Sequence, residues 1–182
     1  MNKFKNLILP PLVLLIICVV VTAALAGTNA LTKDTIAELE AKAQSEAMTR
    51  VIEAESFEEL TGEYDGESFT YHEAVVNGDT AGYVFVTSQK GYGGDVKVMT
   101  AVDESGVILA IEVLSASDET PGLGANALKS DWWEQFKGMS GAVSVAKDGG
   151  EVDALTGATI TSRAAAGAVD KALRYFESLG VA

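Results

Sequence analysis

Hydroxyl side chains crowd one short stretch, Asp153-Ala154-Leu155-Thr156-Gly157-Ala158-Thr159-Ile160-Thr161-Ser162, directly ahead of a helical pattern. A helix N-terminus presents free amides and the positive end of the peptide dipoles, which suits a phosphate group. Plain helix capping would use one hydroxyl, from Thr161 or Ser162. It leaves the small pair Gly157-Ala158 and the additional threonines without a role. Spacing alone therefore leaves two readings, a phosphate-bearing ligand or a capped helix. The phosphate loop of nucleotide-hydrolysing enzymes is excluded, because no lysine follows the glycine. A second candidate is Glu119-Thr120-Pro121-Gly122-Leu123-Gly124, which holds the only proline beyond the N-terminal segment. Proline fixes one φ, and glycine admits backbone shapes closed to other residues. Such a loop can bring amides close to a flat ligand, or it is a rigid turn. The third candidate, Gly91-Tyr92-Gly93-Gly94, precedes a strand and reads as a ligand approach or a simple bulge or turn.

Other chemistry is limited by what the chain lacks. One cysteine (Cys18) excludes an internal disulfide framework and a Cys-based zinc or iron–sulfur site, and one histidine (His72) excludes a two-His metal motif. A hydrolase using Thr159 or a nearby serine would have to take His72 as its base, and His72 falls in a strand pattern. A net charge of −13 argues against nucleic-acid binding, which needs clustered Lys and Arg. Trp132 and Trp133 suit packing on a ligand, on a partner or in the core.

The elements that position these stretches follow from periodicity. The 182 residues suit one ordinary domain, and 48% apolar against 21% charged residues argues for a folded one. Thr35-Ile36-Ala37-Glu38 fits a capping box, and Ile36, Leu39, Ala43, Ala47 and Val51 recur at helical spacing, predicting a helix from about 36 to 54 that packs on the domain. Strands are expected at 68–76, 82–87, 95–102 and 107–114, the last two joined by the turn Asp103-Glu104-Ser105-Gly106. A short helix is expected at 125–136, a strand at 142–146, a turn at 148–150, and a C-terminal helix at about 162–179 ended by Gly180. Strands grouped in the middle with helices at the ends predict an α+β domain with an antiparallel sheet.

The N-terminal segment is of another kind. Lys3 and Lys5 are the only charges before Lys33, so the other 11 basic residues, Lys33 included, and all 26 acidic ones lie from there on. The uncharged run, with Leu12 to Val21 reading LVLLIICVVV, exceeds the ~20 residues that cross a bilayer as a helix. A helix beginning at Pro10-Pro11 would span from Pro11 to Leu31, with the lysines inside and the acidic part outside. The division expected is residues 1–32 as cytoplasmic stub and anchor and 33–182 as the extracytoplasmic domain. Ala24-Leu25-Ala26 also fits a signal-peptidase site, although the apolar core is longer than usual for one. A lipoprotein signal at Cys18 is disfavoured by the bulky Ile17 before it.

Asp153-x-x-Thr156-Gly157-Ala158-Thr159 resembles the target motif of the flavin transferase that attaches FMN through a phosphoester to a threonine. Together with the Thr-Pro-Gly-Leu-Gly loop, the Gly-Tyr-Gly-Gly stretch and the N-terminal span, it makes the chain similar to the RnfG proteins, the FMN-binding subunits of Rnf-type ion-translocating electron transport complexes. The related NqrC proteins of the sodium-pumping NADH:quinone oxidoreductase are also similar, but are longer by insertions. The resemblance implies covalent FMN on Thr159 and recognition of Asp153 by the transferase. Cofactor contacts are expected from Thr156, Gly157, Ala158, Thr161 and Ser162, and from Glu119, Thr120, Gly122, Leu123 and Gly124. It further implies an electron relay within a complex that couples ferredoxin:NAD oxidoreduction to sodium or proton movement. Its partners would be other membrane subunits, a second membrane-embedded flavoprotein among them. No catalytic acid or base and no metal ligand is expected. The rival of a different class is a cofactor-free exported binding or scaffold domain.

Overall fold

A computed structural model describes residues 2–181, with side chains from Ile8 onward. Helix α1 runs unbroken from Asn2 to Val51. The helix begins before the prolines rather than at them, so Pro10 and Pro11 lie inside it and it forgoes two amide donors near its start. Thr35 and Glu38 are interior residues, and no capping box forms. The physical reason is that no Gly or Pro separates Leu31 from Ile36, and nothing there interrupts a helix already under way. Thr28 and Thr32 donate their hydroxyls to the carbonyls four residues back, at 3.0 Å each, which leaves no unmet donor on either threonine. Ile36 and Leu39 are exposed, so the buried face is shorter than the periodicity predicts and begins at Ala47.

The chain divides into compact units after Ala43. The second unit, from Gln44, is built on a five-stranded antiparallel meander in the order β1 (Ser56–Tyr64), β2 (Glu67–Val76), β3 (Asp79–Lys90), β4 (Asp95–Val102) and β5 (Ile108–Ser115). Residues alternate between its faces, as the pleat requires. Tyr83, Phe85, Val96 and Val98 face the C-terminal helix α3 (Thr159–Ser178), whose Ala164, Ala165, Ala168, Ala172 and Phe176 are buried against them. Val84, Met99 and Ala101 face the other way and pack with Ala47, Met48 and Val51 from the end of α1. The expected α+β architecture, with one long apolar N-terminal helix ahead of it, is the one observed.

Four expectations on elements need correction. β1 has no counterpart in the predicted strands: Glu58, Glu59 and Glu63 hide it, and an edge strand with one neighbour tolerates that polarity. Residues 142–146 do not form a strand. Among the described residues no strand pairs with them, and their backbone is held by Asp170 accepting from Val143 N at 3.0 Å and by an isolated Val145–Val152 bridge. The expected helix at 125–136 is split into a 3₁₀ turn (Gly124–Leu128), the one-turn helix α2 (Ser130–Trp133) and a second 3₁₀ turn (Glu134–Phe136), because Lys129 is extended. The last helix starts at Thr159, three residues before the expected start.

Five of the ten buried residues of α3 are alanines, so small side chains form much of the face that meets the sheet. The Thr87 hydroxyl donates to the Ala168 carbonyl at 2.7 Å, which fixes the helix at that distance. Ala168→Leu should therefore overpack the interface and cost about 1–3 kcal/mol, read as a lower urea midpoint.

Candidate functional site

The three glycine-bearing stretches converge although they are far apart in sequence. One cavity of about 490 Å³ is lined by Tyr92, by Glu119, Thr120, Leu123 and Gly124, by Lys147, and by Gly157, Ala158, Thr159, Ile160 and Thr161. Its size suits a cofactor-scale ligand.

Glu119 organises the cavity. It is only 4% exposed, and both carboxylate oxygens accept hydrogen bonds from other segments. Oε1 accepts from the backbone N–H of Tyr92 at 2.7 Å and of Gly93 at 3.1 Å. Oε2 accepts from the Thr161 hydroxyl at 2.6 Å. One carboxylate thus joins the loop before β4, the loop after β5 and the first turn of α3. Gly124 is needed beside it: a Cβ there would stand 2.5 Å from Glu119 Oε2 and 2.6 Å from Thr161 Oγ1. The loop itself is closed by Leu123 N and Ala125 N donating to Thr120 O at 3.1 and 3.2 Å, and by Asn126 Nδ2 donating to Gly122 O at 2.7 Å.

The hydroxyl-rich stretch is not a plain capped helix. The residue preceding α3 is Ala158, and no side chain caps the helix amides. Thr161 is engaged by Glu119. Ser162 is fully buried, donating to Ala158 O at 3.0 Å and accepting from Leu155 N at 2.9 Å, so it braces the turn from within. Thr159 is half-buried at the first helical position, and its hydroxyl accepts from Lys147 Nζ at 3.0 Å. Gly157 has φ +74°, a value that strains any other residue, and Leu123 lies 3.1 Å from where a Cβ would sit. Thr156 is exposed.

Asp153 lies off this cavity and is exposed, while its backbone is fixed. Its carbonyl accepts from Trp132 Nε1 at 2.8 Å, and its N–H donates to Gln135 Oε1 at 2.7 Å. Trp133 donates to Ala127 O at 2.6 Å, so both indoles brace the loops that surround the site. His72 lines a separate cleft with Glu59, Phe69 and Lys171, so no histidine reaches Thr159 to serve as a base.

Lys147 went unnoticed in the sequence. Its signal is a lone cation in the turn Lys147-Asp148-Gly149-Gly150 of an acidic chain, and a lysine in a turn is ordinarily just solvated. Apolar side chains also stay exposed at the cavity: Tyr92 at 71%, Leu123 at 43% and Ile160 at 49%. An uncapped helix N-terminus, a cation at a threonine hydroxyl and exposed apolar side chains are chemically suited to a ligand with a phosphate and an apolar ring.

Comparison with known proteins identifies the family. The FMN-binding domain family matches residues 91–174, and the RnfG N-terminal region matches residues 1–51. The G subunit of the Na(+)-translocating ferredoxin:NAD(+) oxidoreductase complex of Acetobacterium woodii is 33% identical, over 92% of this chain and 90% of that one. The proton-translocating counterpart from Clostridium ljungdahlii is 32% identical, over 88% of this chain and 86% of that one. The crystal structure of Shewanella oneidensis NqrC shares the fold, with a TM-score of 0.52 at 20% identity over 68% of this chain and 70% of that one. Identity at this level along nearly the whole length shows that the chain belongs to the RnfG family, the G subunits of ion-translocating oxidoreductase complexes.

Proposed function

We propose that the chain is a membrane-anchored flavoprotein carrying FMN in phosphoester linkage to Thr159, and that it relays electrons within an ion-translocating ferredoxin:NAD oxidoreductase complex. The observation that carries this reading is the single cavity in which the Thr159 hydroxyl, an uncapped helix start and the loops of Tyr92 and Glu119 meet. The bound flavin supplies the redox chemistry, and the protein supplies position and electrostatics. The free amides of the first turn of α3 face the phosphate position and stabilise its charge. Gly157 and Ala158 keep the approach to Thr159 free of bulky side chains. Thr156, Thr120 and Gly122 lie on the exposed loops around it, within the family's cofactor motif. Asp153, exposed on a rigid backbone, is suited to recognition by a flavin transferase or its metal ion. A phosphoester also retains the cofactor on the outer side of a membrane, where a lost flavin could not be replaced. The partners on this reading are the other membrane subunits, a second membrane-embedded flavoprotein among them. The test is co-expression of the full chain with a flavin transferase: the purified protein should be yellow and keep its fluorescence through denaturing electrophoresis. Colourless protein would favour a cofactor-free scaffold.

The same reading sets the topology. Lys3 and Lys5 precede a helix long and apolar enough to cross a bilayer, and the positive-inside rule supports an N-terminus inside and an acidic domain outside. Protease added to spheroplasts is expected to digest the domain beyond about residue 33. Protection of the domain would reverse the orientation, and a mature N-terminus at Gly27 would show cleavage instead.

A further inference from the structure

The turn Ala146–Asp148 touches α3 at two points one helical turn apart. Thr159 and Arg163 are four residues apart and so share a face of α3. Consecutive residues of the turn meet them: Lys147 reaches Thr159, and Asp148 pairs with Arg163 through two hydrogen bonds of 2.6 Å. The Arg163 guanidinium, with a smaller contribution from Lys147, holds the Asp148 carboxyl below the usual carboxylate range. Asp148 is thus neutralised by Arg163 and fixes the turn. Lys147 is left with a different kind of partner. Its ammonium donates to a neutral hydroxyl, and among the described residues it makes no ion pair, in a chain with 26 acidic residues against 13 basic.

Resting on the reading of Thr159 as the flavin acceptor, we infer that Lys147 is the counter-charge for the phosphodiester formed there, held in place by the Arg163–Asp148 pair. The non-bridging oxygens of that phosphodiester are bonded to the same phosphorus as Thr159 Oγ1. An anion therefore arises within reach of an ammonium already at hydrogen-bond distance from the ester oxygen. A charge-assisted bond to it is stronger than the bond to the hydroxyl that it replaces. The helix amides and Lys147 then hold the phosphate from two sides. Otherwise the flavin would pivot freely about a single ester.

The pair is exposed, so its contribution is screened by salt, and that gives the test its signature. Full-length wild type, Lys147→Gln and Lys147→Arg are co-expressed with a flavin transferase, and covalent FMN is verified by intact mass. Flavin fluorescence anisotropy and melting temperature are then measured at low and high salt, with and without attached flavin. Wild type should show high anisotropy that falls with salt, and flavin attachment should raise its melting temperature by about 1–4 °C at low salt. Lys147→Gln should lose both the salt-sensitive anisotropy and the gain, and Lys147→Arg should keep them. Unmodified wild type and Lys147→Gln should melt alike, as surface variants usually do. Flavinylated Lys147→Gln with wild-type anisotropy at every salt concentration overturns the inference. An equal loss of stability with and without flavin also overturns it, because Lys147 would then only brace the fold. Flavinylated wild type with the flavin on another residue, or wild type without covalent flavin, overturns the Thr159 reading and this inference together.

Discussion

Thr159→Ala is expected to abolish covalent FMN and leave the domain folded. The substituted residue occupies the first position of α3, half-buried, and touches the core through no hydroxyl bond. Its one hydrogen bond comes from the exposed Lys147, and alanine is the better helix former, so the stability change should stay within about 0.5–1 kcal/mol. Loss of flavin without loss of fold is the signature of a removed attachment point rather than a collapsed site. Thr159→Ser keeps the nucleophilic oxygen on a smaller, more mobile side chain and should be partly modified. Thr156→Ala should reduce modification much less, because Thr156 is exposed and carries no acceptor role in the motif. Intact mass and in-gel flavin fluorescence after co-expression with a flavin transferase report all three. Covalent FMN on Thr159→Ala would falsify the site.

The candidate site was more legible in the sequence than the framework was. Thr159 and the loop from Glu119 to Gly124 stand out because glycine, proline and clustered hydroxyls have few uses, and the structure brings Thr159 to one cavity with Glu119, Thr120, Leu123 and Gly124, though not with Gly122. Strands β3, β4 and β5 were legible because each buries apolar residues, on two faces or on one. β1 was not, since an edge strand with three glutamates has neither alternation nor a hydrophobic run. The role of Glu119 was only half legible. Its place in a glycine loop marked it as a cofactor contact, but a single sequence cannot reveal that a carboxylate is buried. The partners of Glu119 come from residues 26 to 42 positions away. Lys147 was hidden for the same reason: its partner lies 12 positions on, across a turn.

The buried carboxylate leads to the largest stability effect expected of a single polar substitution in the domain. Glu119→Ala removes one acceptor group and strands three donors, the N–H groups of Tyr92 and Gly93 and the hydroxyl of Thr161. A buried donor left unpaired costs about 1–3 kcal/mol, and water entering the vacated space recovers part of it, so a net loss of about 3 kcal/mol is expected. Glu119→Gln should cost less, about 1 kcal/mol. Its carbonyl oxygen can still accept from Tyr92 and Gly93, and the Thr161 hydroxyl can rotate to accept from the new amide. Gly124→Ala attacks the same junction sterically, because the added methyl would crowd both Glu119 and Thr161. Urea denaturation of the full chain in detergent should therefore rank the midpoints as wild type above Glu119→Gln, and Glu119→Gln above Glu119→Ala. Equal midpoints for Gln and Ala would mean that hydrogen bonding does not hold the junction. The functional consequence follows from position: this carboxylate ties the Tyr92 loop and the Glu119–Gly124 loop to the helix start that bears Thr159. Glu119→Ala should therefore still accept covalent FMN, since the hydroxyl remains, but hold its ring less firmly, read as lower flavin fluorescence anisotropy at unchanged mass.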